Sequence, residues 1–81
     1  MVQPLSQRAT SVLASAYELG RWQVEDDALY LQQWTGSEAE LVSSIQRRHG
    51  WTAASEYAPY YVADLRQALQ LRSFSNNGVS H

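Results

Sequence analysis

The chain is predicted to fold as an all-α bundle of three to four helices, and three observations carry that prediction. Apolar residues recur at helical spacing in four segments, an S-x-x-E capping box opens one of them, and a glycine followed by a tryptophan closes it. No stretch alternates polar and apolar residues for long enough to suggest a sheet. The expected helices span about 6–19, 25–34, 38–49 and 58–72, the first two readable as one continuous helix.

The first helix is expected to start at Ser6 as N-cap, with Pro4 safely before it. Ala9, Val12, Leu13, Ala16 and Tyr17 fall on one helical face. Gly20 then reads in two ways. A glycine inside a helix costs only about 1 kcal/mol relative to alanine. Val12, Ala16, Gly20, Val24, Ala28 and Leu31 therefore also read as one stripe running from Ser6 to Trp34. A turn or kink at Gly20 is the favoured reading. In the second helix Glu25, Asp26 and Asp27 supply the negative charge a helix N-terminus favours. Val24, Ala28 and Leu31 share a face, and Thr35-Gly36 ends the segment.

The third helix has the clearest signals. Ser37 and Glu40 form the capping box, and Leu41, Val42 and Ile45 the apolar stripe. Arg47, Arg48 and His49 stand where positive charge meets the carbonyl end of the helix dipole. Gly50 at C′ and Trp51 at C″ suit a Schellman ending. Proline is tolerated only in a first turn, so Pro59 places the start of the fourth helix near Ala58. Thr52 to Tyr57 then form a turn or a short helical piece. Tyr61, Val62, Leu65, Ala68 and Leu69 recur at helical spacing, and 75–81 reads as a flexible tail after a single domain over 1–74.

With 81 residues, the chain suits one small domain that buries only about 60–65% of its unfolded surface. It has no cysteine, which removes thiolate nucleophiles, Cys-rich zinc sites and disulfides, and fits a cytoplasmic protein. The net charge is −2, too weak a field to recruit nucleic acid or an anionic membrane. All six basic residues are arginine. No apolar run approaches a membrane span of about 20 residues. Ala14-Ser15-Ala16 imitates a signal-peptidase site, but the segment before it is too short and polar for a signal peptide.

Aromatic residues are the compositional anomaly. Trp22, Trp34, Trp51, Tyr17, Tyr30, Tyr57, Tyr60, Tyr61 and Phe74 are more rings than short helices readily hide. Some will fill the core. Others are expected to line a protein interface, where tryptophan, tyrosine and arginine concentrate. Trp22, Trp34, Arg47, Arg48, Trp51, Tyr57 and Tyr60 are the candidate partner-binding residues. Arg47-Arg48-His49 serves first to compensate the helix dipole. A second use would be pairing with Glu25-Asp26-Asp27 of another copy.

Other functions have less support. The third and fourth helices can be drawn as a helix-turn-helix, but Ser55, Glu56, Tyr57 and Tyr60 would head the recognition helix, and none is basic. His49 has no second internal histidine for a relay, and no glycine-rich phosphate loop or G-x-S-x-G motif is present. A pocket for a planar ligand is a third class. The expectation is a non-catalytic protein-interaction module whose partners include its own copy. It calls for no cofactor or metal, makes no membrane contact, and DNA binding is its alternative.

Overall fold

The computed structural model describes residues 4–52 and 56–78, with side chains of the last helix described as far as Gln70. It contains four helices and no strand among those residues: α1 (Gln7–Ala16), α2 (Arg21–Gln33), α3 (Glu38–Arg48) and α4 (Tyr57–Gly78). α1 packs on α2, α3 on α4, and α4 also lies across α1 and α2. No helix is long and apolar enough to cross a membrane among the described residues.

Ser6 caps α1 as expected, its hydroxyl accepting from the Ala9 N–H at 3.1 Å. The buried face differs from the predicted stripe. Thr10, Leu13 and Ala14 are buried, whereas Val12 and Ala16 face solvent. Thr10 enters the core because its hydroxyl donates to the Ser6 carbonyl at 2.9 Å, which removes the cost of burying it unpaired. The segment that imitates a signal peptide is thus part of the folded helix and its core.

Gly20 is a break, but α1 stops before it. The Leu19 N–H donates to the Ala14 carbonyl at 2.8 Å and the Glu18 N–H to Ser15 at 3.4 Å, the two bonds of a Schellman ending. Glu18 therefore occupies the left-handed C′ position, at φ 55°. Gly20 is instead the N-cap of α2, where its N–H donates to the Gln23 side chain at 2.8 Å. A side chain at positive φ costs about 1 kcal/mol that glycine avoids. Glu18→Gly should accordingly raise the melting temperature by several degrees, about 4–8 °C per kcal/mol for a domain this size. A lowered value in thermal denaturation would contradict this geometry.

Because α2 begins at Arg21 and not near residue 25, Glu25, Asp26 and Asp27 lie in its second turn. They are not the N-terminal charge that the sequence suggested. Val24, Ala28 and Leu31 are buried on one face as expected, and Asp27 is buried with them.

α3 follows its sequence signals closely. The Ser37 hydroxyl accepts from the Glu40 N–H at 3.2 Å. Leu41 and Ile45 are buried. The end is the expected Schellman motif. The Trp51 N–H donates to Gln46 at 3.0 Å and the Gly50 N–H to Arg47 at 3.2 Å, with Gly50 at φ 69°. α4 carries Pro59 in its first turn and buries Ala58, Tyr61, Val62 and Leu65. It continues to Gly78, so residues 75–78, expected as tail, belong to the helix. The expectation for Thr52 to Tyr57 falls partly on 53–55, outside the described residues, as do 79–81.

Candidate functional site

Two features concentrate the polar and aromatic chemistry: a buried knot around Asp27, and a set of rings and charges left on the surface.

Asp27 is 1% exposed, a depth at which a lone carboxylate is untenable. Three donors from two other elements satisfy it. Its Oδ2 accepts from the Tyr61 hydroxyl of α4 at 2.6 Å and from His49 Nε2, just past α3, at 2.6 Å. Its Oδ1 accepts from Arg48 Nε at 3.2 Å. The same guanidinium donates to Asp26 and lies 4.4 Å over the Tyr30 ring, whose hydroxyl is bonded to Ser44. Among the described residues no buried side-chain polar atom is left without a partner. The pairing of Arg48 and His49 with Asp26 and Asp27 that the sequence suggested between copies is therefore made within one chain.

Aromatic rings seal this knot. Trp51, folded back by the Schellman turn, stacks on His49 at 4.8 Å and meets Tyr61 edge-on at 5.6 Å. Tyr17 contacts Tyr61 at 5.0 Å, and Tyr57 contacts both Tyr17 and Trp51. The Tyr17 hydroxyl donates to Asp64 Oδ2 at 2.5 Å. Burial, then the bond to Asp27, raises the Tyr61 phenol well above its ordinary value. Burial and the bond to Asp64 raise Tyr17 in the same way. At the far end of α3, Arg66 grips Glu38 through Nε and Nη2, and its hydrogen bonds hold that carboxyl below its usual range.

The seven candidate partner-binding residues do not form one patch. Trp51 and Arg48 belong to the buried knot and its seal, and Tyr57 lies at its edge, 54% exposed. Trp22, 71% exposed, stands on the outer face of α2. It walls one groove with Gln7, Thr10, Arg21 and Glu25, and another over Asp26, Arg48 and His49. Tyr60 projects from α4. Trp34 and Arg47 share a groove with Ala39, Glu40 and Ser43. Trp34 is held there by its indole N–H, which donates to the Ser37 carbonyl at 2.9 Å, and by contact with Tyr30.

Sequence reading missed Asp27, His49, Tyr61 and Tyr17 as a unit. One signal was present: Asp27 falls on the stripe of Val24, Ala28 and Leu31, an acid where the core should be. Its donors come from distant segments that no local pattern joins. Chemically, the knot is saturated, since all three donors are spent on one carboxylate. No group of three acidic, histidine or cysteine side chains suited to a metal occurs among the described residues. No family model matches the chain, and no curated protein or solved structure shows significant similarity to it.

Proposed function

We propose that the chain is a small, non-catalytic protein-interaction module that associates with a copy of itself through an aromatic and aliphatic helix surface. One observation carries this reading. Trp22 and Tyr60 are 71% and 63% exposed on a chain whose core closes without them, and Tyr57, at the edge of that core, is 54% exposed. Large rings of this kind dominate binding energy at protein interfaces. Asp27 and His49, a buried acid–histidine pair, are committed to holding helices together, which supports a structural role over an acid–base one. None of Glu56, Tyr57 and Tyr60, at the start of α4, is basic, and this weighs against the DNA-binding alternative. The absence of cysteine suits the reducing cytoplasm, where we place the protein.

Sedimentation equilibrium across the micromolar range is the test. A mass that rises to twice the monomer with concentration is expected. A strict monomer throughout would end the self-association reading.

A further inference from the structure

The outer face of α3 is charge-complementary to itself. Leu41 and Ile45 point this helix into the core, which leaves Ala39, Glu40, Ser43 and Arg47 on the opposite side, all exposed. Glu40 and Arg47 are seven residues apart, about 10.5 Å along the helix axis. Neither makes an ion pair among the described residues. Ser43 lies at their midpoint. When two such helices pack antiparallel about a two-fold axis at Ser43, Glu40 of each copy meets Arg47 of the other. The small side chains of Ala39 and Ser43 let the backbones approach, and Trp34 gives the groove an apolar wall.

The faces that carry Trp22 on α2 and Tyr60 on α4 suit such pairing less well. On α2, Trp22 and Leu29 stand on one stripe, but Glu25 and Asp26 lie between them. A two-fold axis centred on the Trp22–Leu29 stripe sets Glu25 against Asp26 of the other copy, which is destabilising, and an axis moved toward Gln23, where Arg21 could meet Glu25, leaves Leu29 outside the pairing. The outer face of α4 beside Tyr60 carries Ala63 and Gln67, with no cation to pair with an acid across an axis. Complementary charge about a two-fold axis is what an isologous interface requires.

We propose that the Trp34–Arg47 groove is the surface on which a second copy of this chain docks, α3 against α3 in antiparallel register, through two reciprocal Glu40–Arg47 ion pairs about Ser43. This rests on the self-association proposed above, and seats it on α3 and the Trp34 ring, apart from the exposed rings Trp22, Tyr57 and Tyr60. One helix face per copy lies at the small end of specific interfaces, so a weak, concentration-dependent dimer is expected.

Charge swapping tests it, read by sedimentation equilibrium. Glu40→Arg and Arg47→Glu should each weaken dimerisation at least tenfold, because each sets like charges together twice. Mixing the two single variants should restore a dimer, and so should the double variant E40R/R47E. Ser43→Glu puts two carboxylates on the axis and should separate the copies even if a charge variant lost helix content, which circular dichroism would show. Single variants that dimerise like wild type would overturn this surface while leaving self-association intact. A monomeric wild type would overturn both.

Discussion

Asp27→Ala is expected to leave much of the protein unfolded at 25 °C. Removing one partner of a buried ion pair costs about 3–5 kcal/mol, because the groups left behind lose their compensation. Here three are left: the Tyr61 hydroxyl, His49 Nε2 and Arg48 Nε, drawn from two other elements. A chain of 81 residues has a total stability of about 4–12 kcal/mol at common per-residue values, and small domains sit low in that range. The loss is therefore comparable with the whole. Asp27→Asn keeps the shape and one acceptor but turns an amide donor toward groups that are themselves donors, so it should also destabilise, by less. Urea denaturation followed by tryptophan fluorescence gives the midpoints directly. A midpoint for Asp27→Ala equal to wild type would show that the knot does not hold α2, α3 and α4 together.

Tyr61 should show the next largest effect, and its ring and hydroxyl can be separated. Tyr61→Ala removes a fully buried ring from the contacts with Tyr17, His49 and Trp51, a change worth about 3–5 kcal/mol for large aromatics. Tyr61→Phe keeps the ring and loses only the bond to Asp27, about 1.5–3 kcal/mol for a hydrogen bond to a charged group. If the two variants had the same denaturation midpoint, the packing part of this account would be wrong. The same phenol makes stability depend on alkaline pH. The folded state holds the Tyr61 and Tyr17 phenols above their ordinary value, while the unfolded chain loses those protons near pH 10. The unfolded state then binds fewer protons, so stability is fully present below about pH 10 and falls as pH rises beyond it. Urea midpoints should decline above that pH in wild type. The decline should be shallower in the Y17F/Y61F double variant, compared with its own value at neutral pH.

Much of the fold was legible because its signals are local. Ser6, Ser37 and the Gly50-Trp51 pair act on backbone groups three to five residues away, so a short window contains cause and effect. The end of α1 was misplaced for a related reason. Glycine is the usual C′ residue, but here Glu18 accepts the left-handed conformation and Gly20 becomes the next N-cap. That shift advanced the start of α2 and changed the meaning of its acidic run. What looked like charge at a helix N-terminus is one buried acid, Asp27, one surface ion-pair partner, Asp26, and one exposed carboxylate, Glu25.

The candidate surface was legible only residue by residue. Trp34 and Arg47 were both singled out, yet their shared groove depends on the α2–α3 turn that carries the indole back to Ser37. The sequence marks Glu40 as a capping residue, and its place on the same outer face as Arg47 appears only once the core face of α3 is known.

By itself, then, the sequence determined the helical class, most helix ends and the surplus of aromatic side chains. Backbone capping and hydrophobic period act within a few residues of chain, which is why those features could be read. Tertiary structure alone decided which rings are sealed inside and which stand in solvent. It also decided that Arg48 and His49 are spent on Asp27 of their own chain, while Arg47 stays exposed. Burial is a property of where α2, α3 and α4 meet, and Asp27 finds Arg48, His49 and Tyr61 only at that junction, 21, 22 and 34 residues along the chain.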